Sequence, residues 1–348
     1  MENNFKITEK EDAFEMDSIN FWIRDIRNSE SLNSIVESKA FQRLFDISFL
    51  GAIDYSEDTK LLKIERNRAV HSLYVAGIAN YVATERKYDD ELKEHVVAAA
   101  LLHDIGHMPL SHSAEPYIKK HLGIGHHDIG DKIISGEIWN ESKLNYKLSK
   151  KYDISFIQDM LNGNYHGEGS DIFNSKINAD TIDGIIRCLE YKGINKTNYL
   201  NRISIAKAAF IEGCEMSIEK RIDTLDEFWK SKHFVYHNFI NTKHGVLSDT
   251  VSQIFFCEVE NISITDLIDK EKCWKKKYKS LFSWLENLKT KKIPDCLKNY
   301  ELQFTTRKYE VNKSELEIKK RYVNTKEKIT LGIESFDSYK EEQLKLEI

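Results

Sequence analysis

Apolar side chains recur at helical spacing along most of this chain, and the pattern predicts a largely α-helical protein. Glycine follows several of the apolar segments, at Gly51, Gly106 and Gly123, which is typical of helix ends. Residues 1–12 are polar and are expected to be frayed or to form an edge element. The predicted helices cover residues 32–50, 69–82, 96–104, 112–121, 126–134, 145–161 and 177–189, and the predicted loops cover residues 52–66 and 162–170.

The last third of the chain has a different pattern. Residues 270–292 hold nine lysines against two glutamates, with apolar residues at helical spacing, which predicts an amphipathic helix with a solvated lysine face. A polyphosphate or nucleic-acid patch is the less favoured interpretation. Alternation predicts a strand over residues 300–311, with residues 321–331 as its partner. We therefore expect a helical domain over residues 15–260 and a small mixed α/β appendage over residues 261–348, which could serve a dimer or a second ligand.

Composition is typical of a folded helical protein. The chain has 348 residues, of which 41% are hydrophobic and 31% charged, with only three prolines. A net charge of −5 does not indicate a nucleic-acid binder. Five scattered cysteines without a CxxC pair are typical of reduced thiols in a cytoplasmic protein. No apolar run approaches the roughly 18 residues of a membrane span, so no membrane segment is expected.

The stretch LLHDIGHMPLSH at residues 101–112 carries three histidines and a carboxylate behind an apolar run. Gly106 and Pro109 are expected to end the preceding helix near His103 and Asp104, so that both side chains can turn toward one point. Imidazole nitrogen and carboxylate oxygen together suit a divalent metal ion. For this pair taken alone, a polar helix end without a metal remains the alternative.

Two further segments hold residues that could complete such a site. His71 lies in the first turn of a predicted helix, where it could supply a third ligand. On the helix that follows residue 177, Asp180, Asp183 and Arg187 share one face. Taken alone, this second set is interpreted as an ion-pair ladder on a solvated face rather than as a metal-and-phosphate site, because such pairs are abundant on helix surfaces.

In this order the motifs resemble the HD-domain phosphohydrolase superfamily, whose H…HD…D pattern binds one divalent metal ion. The resemblance implies an all-α HD domain in this chain. It also implies a metal whose identity stays open among Mn, Fe, Zn, Ni, Co and Mg. The four ligands that the resemblance implies are His71, His103, Asp104 and Asp180.

The match is nearer to one branch of this superfamily, the deoxynucleoside triphosphate (dNTP) triphosphohydrolases. The segment FQRL at residues 41–44, with Leu-Gly at residues 50–51, is similar to a helix of that branch. Arg68, three residues before the first ligand, and HDIGHMPLSH at residues 103–112 resemble two further elements. His107 stands where cyclic-dinucleotide phosphodiesterases carry lysine, which argues against that group.

The resemblance also implies roles beside the metal. His107 and His112 would face the phosphate, one neutralising charge and the other protonating the leaving oxygen. We assign the proton donor to His112, since it is expected to lie across the cavity from the metal. His127 resembles the histidine of a His–acid pair in the branch and is an alternative donor together with His107. Asp183 would orient a histidine or the attacking water.

The residues expected to contact substrate match the branch less well. Arg68 and Arg187 are candidates for phosphate contact. Phe49 stands where the branch carries a glutamine that touches the sugar. Thr181 and Gly184 replace a phosphate-binding lysine and a tyrosine that lies under the deoxyribose. The resemblance therefore supports the type of reaction more strongly than it supports a particular substrate.

The expected activity is metal-dependent hydrolysis of a nucleotide phosphoester, most similar to conversion of a dNTP into deoxynucleoside and triphosphate. Two alternatives stay open. One is a phosphodiesterase or nuclease that acts on a signalling nucleotide or an oligonucleotide, and the other is a weakly active HD protein that binds a nucleotide. A nucleotide substrate is the expected partner, a homo-oligomer is left open, nucleic acid is possible but not indicated, and no membrane is expected.

Overall fold

Helices follow one another from Ile19 to Lys289, and a two-stranded antiparallel hairpin comes after them. This confirms the predicted mainly α fold class with a small mixed α/β part near the C-terminal end. The computed structural model describes residues 16, 18–56, 65–194, 200–213, 216–259, 262–290, 292–297 and 300–346. The polar start and most of the predicted loop over residues 52–66 lie outside these described residues.

The helices are numbered here in chain order. The first group is α1 (Ile19–Asn28), α2 (Glu30–Val36), α3 (Lys39–Arg43), α4 (Ile53–Ser56), α5 (Arg68–Glu85), α6 (Asp90–Leu102), α7 (Ser111–Leu122) and α8 (His126–Ser135). The second group is α9 (Leu144–Leu148), α10 (Ile154–Leu161), α11 (Asp171–Asn174), α12 (Ala179–Tyr191), α13 (Arg202–Phe210), α14 (Ile218–Val235), α15 (Lys243–Glu258), α16 (Ile264–Leu267), α17 (Glu271–Lys277) and α18 (Lys279–Lys289). The last elements are β1 (Glu301–Val311), α19 (Ile318–Arg321), β2 (Tyr322–Gly332) and α20 (Phe336–Leu346).

The centre of the fold is the pair α5 and α6. Nearly all of α5 is buried, and α6 is buried at every position from His95 to Leu102. A helix that is apolar around its whole circumference lies inside a protein, and α5 accordingly packs against α1, α6, α12 and α13. The side chains of Asn67 and Asp89 cap the first turns of α5 and α6. These caps set where each central helix begins.

The prediction of a single helix over residues 32–50 is wrong. The segment forms α2, α3 and a turn of 3₁₀-helix at Leu44–Asp46. Ser38 interrupts it, because its backbone is extended and its hydroxyl accepts a hydrogen bond from the N–H of Phe41. Serine competes with helix continuation in this way and starts a new helix instead.

The predicted helices over residues 145–161 and 270–292 are also wrong, since each is two helices. In the first segment Asp153 caps α10 by accepting from the N–H of Phe156, which separates α9 from α10. In the second segment the backbone leaves the helical region at Tyr278, between α17 and α18. The lysines of α17 are exposed as predicted, and its tryptophan is buried.

The hairpin is fixed to the helical body through α14. Strands β1 and β2 pair antiparallel along all 11 residues of each strand. Arg321 donates to both carboxylate oxygens of Asp226 on α14, at 2.7 and 2.5 Å, and the hydroxyl of Tyr322 donates to the same carboxylate. The indole N–H of Trp229 donates to the carbonyl of Val323 at 3.2 Å. A two-stranded sheet gains its stability from such packing against a helix.

The helices that follow residue 260 also pack against the earlier ones. Helix α18 lies against α15 and α4, and Leu267, Trp274 and Leu281 are fully buried. The division of the chain at residue 260 stays a prediction, with close contact between the two parts. Within the described residues, every helix is too short or too polar to span a membrane.

Candidate metal centre

The donor atoms of His71, His103 and Asp104 lie together, and Asp180 adjoins this group through His71. Nε2 of His71 lies 3.3 Å from Nε2 of His103, 3.0 Å from Oδ1 of Asp180 and 3.6 Å from Oδ2 of Asp104. Nε2 of His103 lies 3.5 Å from Oδ1 of Asp104. These separations are those expected between neighbouring ligands of one metal ion whose bonds to nitrogen and oxygen are about 2.0–2.2 Å long.

Local sequence explains how each ligand reaches this point. His71 lies in the first turn of α5, and His103 is the residue at which α6 ends. Asp104 follows in the turn. Asp180 lies in the first turn of α12, where the side chain of Asn178 caps the helix by accepting from the N–H of residue 181. One helix end and two helix starts therefore bring four polar side chains into the same part of the fold.

The hydrogen bonds of the two imidazoles show that the donor set suits a cation. Nδ1 of His103 lies 2.8 Å from the carbonyl of Ala100, which can only accept, so this nitrogen carries the hydrogen and Nε2 offers a lone pair. Nδ1 of His71 lies 2.6 Å from Oδ2 of Asp183. Carboxylate or carbonyl partners of this kind orient imidazole ligands in metal sites. Two ring nitrogens and the carboxylate of Asp104 thus lie together with electron pairs to offer, and the carboxylate of Asp180 lies beside Nε2 of His71.

The charges around His71 also favour a cation at its Nε2. Burial alone would lower the pKa of this imidazole, but its hydrogen bonds with Asp180 and Asp183 outweigh burial and raise the pKa above the usual value. The side chain of Asp180 is 60% exposed; its carboxylate loses part of its hydration among these groups, which would raise its pKa, but its bond with His71 outweighs this and lowers the pKa to about 2. A field that holds an extra proton on a buried imidazole also attracts a metal ion.

Asp183 is the centre of a buried ion-pair network behind His71. Its carboxylate accepts from Nε of Arg187 at 2.8 Å and from Nε of Arg202 at 2.5 Å, and Arg202 also makes a bidentate pair with Glu190. Burial would raise the pKa of Asp183, but the charges of Arg187 and Arg202 hold it well below its usual range. Interpretation of this helix face as a solvated ladder is wrong for Asp183 and Arg187, which are 0% and 2% exposed.

The two arginines expected at the phosphate are enclosed in these networks. Arg68 donates to Oδ2 of Asp104 at 2.8 Å, to the hydroxyl of Ser111 and to the carbonyl of Phe49. Arg187 is held by Asp183. Phosphate contact stays a prediction for both arginines, and the geometry shows each of them orienting a carboxylate that touches the metal centre.

A second cluster, three histidines with Glu115, lies beside the donor set. His107 is fully buried, with Nε2 3.1 Å from Oδ1 of Asp104, and its ring stacks on His126 with centroids 4.0 Å apart. Glu115 accepts from Nδ1 of His112 at 3.0 Å and from Nδ1 of His126 at 2.6 Å. Burial and the charge of Arg68 lower the pKa of His107 well below its usual value, so its imidazole is neutral. The cluster combines a neutral ring with two rings oriented by a carboxylate.

The sequence analysis predicted no role for two members of this cluster, His126 and Glu115. His127, predicted as a catalytic histidine, is exposed and lies with its ring 4.1 Å from the ring of His126; its role stays a prediction. His126, one residue earlier, is the side chain that reaches His107. Glu115 could have been found from its position three residues after His112 on one helix. Arg202 has no such signal, because it lies on a different helix from its partner Asp183.

The wall expected to face the sugar is apolar and open. The ring of Phe49 lies 4.8 Å from that of His71 and 4.9 Å from the guanidinium carbon of Arg68. Phe49 is 7% exposed. A Cβ atom placed on Gly184 would meet only Phe49 within 4 Å, at 3.8 Å. Neighbouring described side chains therefore do not fill the space that a larger residue at position 184 would occupy.

Comparisons with known proteins agree with this arrangement. A family model for the HD domain matches residues 68–152. An uncharacterized protein of Methanocaldococcus jannaschii is 28% identical over 90% of this chain and 64% of its own length. An uncharacterized protein of Bacillus subtilis is 31% identical over 46% of this chain and 36% of its own length. The chain spans about one third to two thirds of the length of these curated relatives.

Two further matches concern the branch and the fold. A protein of Vibrio cholerae named deoxyguanosinetriphosphate triphosphohydrolase-like protein 2 is 42% identical over 23% of this chain and 18% of its own length. The crystal structure of a hypothetical protein from Aquifex aeolicus shares the fold, with a TM-score of 0.62, 16% identity, and coverage of 90% of this chain and 96% of that chain. Residues 68–152 of this chain therefore match the HD domain, and segments of 83, 102 and 74 residues are similar to proteins named deoxyguanosinetriphosphate triphosphohydrolase-like.

Proposed function

We propose that this chain is a metal-dependent phosphohydrolase that converts a dNTP into deoxynucleoside and triphosphate. The observation that carries the proposal is the convergence of the donor atoms of His71, His103 and Asp104, with Oδ1 of Asp180 3.0 Å from Nε2 of His71. The names of the short triphosphohydrolase-like matches support this choice of substrate class. A cytoplasmic location belongs to the same proposal and is supported by the free cysteines of the described residues.

In this proposal the chain's own residues hold and orient the reacting groups. A divalent cation at the four donors would polarise a phosphoryl oxygen and make water more acidic. Asp183 holds Nδ1 of His71, and Arg187 and Arg202 keep Asp183 ionised. Arg68 holds Asp104 in the same manner. Burial of these ion pairs keeps the donor atoms in place, which is what a preorganised site requires.

His112 is the proposed proton donor to the leaving oxygen. Its side chain is 63% exposed, whereas that of His107 is 1% exposed, so a leaving group can reach His112 from the cavity mouth. Glu115 accepts the hydrogen of its Nδ1 and leaves Nε2 directed away from that carboxylate. Desolvation lowers the pKa of His112 below its usual value, and the hydrogen bond with Glu115 opposes this shift by favouring the protonated imidazole that a general acid needs.

The experiment that tests this function is product analysis with metal-reconstituted protein. We expect triphosphate and deoxynucleoside from a panel of dNTPs, and no turnover after metal removal by a chelator. Release of a nucleoside monophosphate or of a linear oligonucleotide would instead indicate a phosphodiesterase or nuclease. Absence of any product from every nucleotide tested would contradict hydrolysis altogether and favour a nucleotide-binding protein.

A phosphodiesterase or nuclease is the second candidate, because the sugar wall is apolar and open at Phe49 and Gly184. Sites built to hydrogen-bond a substrate group discriminate strongly, and apolar sites discriminate weakly. We therefore expect kcat/KM to differ little between dATP and ATP. A preference for the deoxy form above ~10³-fold would mean that another residue reads the sugar.

The proton donor is tested with His112→Ala. Metal content should stay unchanged, kcat should fall by ~10²–10⁴-fold and the alkaline limb of the pH–rate profile should disappear, as expected for loss of a general acid. The defect should shrink for a p-nitrophenyl ester, whose leaving group needs no proton. His121→Ala, on the exposed side of the same helix, is the matched control. An equal loss with the activated ester would move the acid role to His107 or His127.

A further inference from the structure

A carboxylate from beyond residue 260 reaches the loop that precedes His112. Glu271 opens α17 and is 2% exposed. Its Oε2 accepts from the backbone N–H of Leu110 at 2.9 Å and from the N–H and hydroxyl of Ser48, both at 3.0 Å. Its Oε1 accepts from the hydroxyl of Tyr55. One side chain of the C-terminal part thus joins three separate segments of the helical body.

The loop that Glu271 holds has an unusual backbone. Leu110 and Ser111 have φ values of +61° and +44°, in the left-handed region that side chains other than glycine rarely adopt. Leu110 is the residue before α7, and its side chain does not cap that helix. Strained backbone of this kind persists only where neighbouring groups hold it, and it is concentrated at functional sites. The strain here lies directly before His112.

The same hydrogen bonds continue to the metal centre. The hydroxyl of Ser111 donates to the carbonyl of Ser48 at 2.6 Å and accepts from Nε of Arg68 at 3.2 Å. Arg68 in turn donates to Asp104 at 2.8 Å. Ser48 therefore binds Glu271 through its N–H and hydroxyl and binds Ser111 through its carbonyl. A continuous set of contacts leads from Glu271 to the loop, and from the loop to a metal ligand.

We infer that Glu271 is a positioning residue, which holds residues 110–111 in their strained conformation and thereby aims His112 at the leaving group. The inference rests on the proposed function, since the proton-donor role of His112 is part of that function. Glu271 does not itself touch the donor atoms or the histidine cluster. A displacement of about 1 Å in a reacting group can lower a rate by about 10²-fold, so the loss of this hold should be measurable.

The kinetic test uses the full chain and compares Glu271→Ala with Glu271→Gln. The glutamine keeps a carbonyl oxygen for the N–H of Leu110, and its amide can donate to Tyr55, so it should restore most of the activity. Glu271→Ala should lower kcat for the nucleotide by about 10²-fold with little change in KM or metal content. Tyr55→Phe, which removes only the partner of Oε1, is the matched control and should stay close to the unsubstituted protein.

Two readouts separate positioning from a purely structural role. The loss caused by Glu271→Ala should shrink with a p-nitrophenyl ester, because His112 is then not needed. The double variant Glu271→Ala, His112→Ala should also have the same kcat as His112→Ala alone, because the effects of residues that act through one another are not additive. Additive losses, or an equal loss with the activated ester, would overturn the inference. Should Glu271→Ala fail to fold, Glu271→Asp, one methylene shorter, should show the same pattern, and full activity in it would equally overturn the inference.

Hydrogen exchange measures how firmly Glu271 holds residues 110–111, and this measurement does not depend on catalytic activity. We expect the amide of Leu110 to exchange faster in Glu271→Ala than in the unsubstituted protein or in Glu271→Gln, with α5 and α6 unchanged. Unchanged exchange at Leu110 would contradict the inference. If the unsubstituted protein hydrolyses no nucleotide, the proposed function fails, whereas faster exchange in Glu271→Ala would still support the hold of Glu271 on this loop.

Discussion

Among single residues, Asp180 differs from the other three donors in its exposure. Its side chain is 60% exposed, whereas those of His71, His103 and Asp104 are 0%, 12% and 6% exposed. Replacement of Asp180 therefore leaves no cavity in the core. The other donors are buried, and their replacement would combine loss of a ligand with loss of packing.

We predict that Asp180→Ala weakens metal binding substantially and removes activity while the fold remains. Loss of an outer partner of a metal ligand already costs about 10–100-fold in affinity, and loss of a ligand should cost at least as much. Elemental analysis after gel filtration measures the bound metal, and thermal unfolding measures the fold. Asp223→Ala, an exposed aspartate on α14, is the control. A stoichiometric metal content in Asp180→Ala would exclude Asp180 as a ligand.

Asp54 gives a pH dependence of stability. It is buried between the N–H of Leu50 and the guanidinium of Arg66, and burial raises its pKa to about 7 from the usual 3.8. Between these values the unfolded chain carries an ionised Asp54 and the folded chain a protonated one. The unfolded state then binds fewer protons, so stability falls as pH rises through this window. The free energy lost is about 4 kcal/mol at most.

We predict that Asp54→Asn flattens this dependence. The amide has no charge to desolvate, and its oxygen can still accept from Leu50, so the variant should lose less stability than the unsubstituted protein between pH 5 and about 7. Urea unfolding at several pH values measures the slope. Asp223→Asn, which is exposed, should leave the slope unchanged. A steeper fall in the Asp54→Asn protein would contradict this prediction.

At the level of elements, α8 approaches the metal centre because Gly106 has no side chain. A Cβ atom on Gly106 would lie 2.0 Å from the carbonyl oxygen of His126 and 2.3 Å from the backbone nitrogen of Gly130. The backbone of α8 at His126 and Gly130 cannot remain in place beside such a group. The glycine of the HDIG segment is therefore what allows His126 to stack on His107.

We predict that Gly106→Ala moves α8 away, lowers kcat and destabilises the protein by about 1–3 kcal/mol, the usual cost of overpacking. Gly184→Ala is the matched control, because its Cβ has open space in a helix interior and should raise stability by about 0.4–1 kcal/mol. Thermal unfolding and steady-state kinetics measure both variants. Unchanged activity and stability in Gly106→Ala would mean that the contact between this loop and α8 is not needed.

At the scale of the whole molecule, the C-terminal helices are part of the core. Leu267, Trp274, Leu281 and Leu285 are all 0% exposed. Burial of one such side chain contributes about 1.5–3 kcal/mol. Together these four side chains contribute an amount comparable with the total stability of a typical domain, about 5–15 kcal/mol.

We predict that a chain ending at residue 260 does not unfold cooperatively, whereas a chain ending at residue 297 does. The shorter chain lacks these apolar side chains and Glu271. The longer chain lacks β1, α19, β2 and α20, which leaves Asp226 without Arg321 and should lower its stability relative to the full chain. Calorimetry of the three chains measures this order. Cooperative unfolding of the 260-residue chain would support an independent domain that ends there.

The sequence by itself determined features that depend on neighbouring residues. Helical spacing predicted the fold class, and alternation located both strands of the hairpin to within one residue. Glycine and proline after the apolar run located the end of α6 at His103, because they prevent continuation of the helix locally. The resemblance to the HD superfamily named four residues as metal ligands; the fold groups His71, His103 and Asp104 and places Asp180 beside His71, and the ligand roles stay a prediction.

Only the tertiary structure decided which side chains meet across long stretches of chain. Ser38 and Asp153 cap new helices inside two segments for which apolar spacing alone predicts single helices. Packing between distant segments buries Asp183 and brings His126, rather than His127, against His107. It also makes the contacts of Arg202 and Glu271, whose partners lie 19 and 223 residues away along the chain. Such contacts leave no periodic trace, because a residue's spacing along its own helix does not specify which distant helix packs against it.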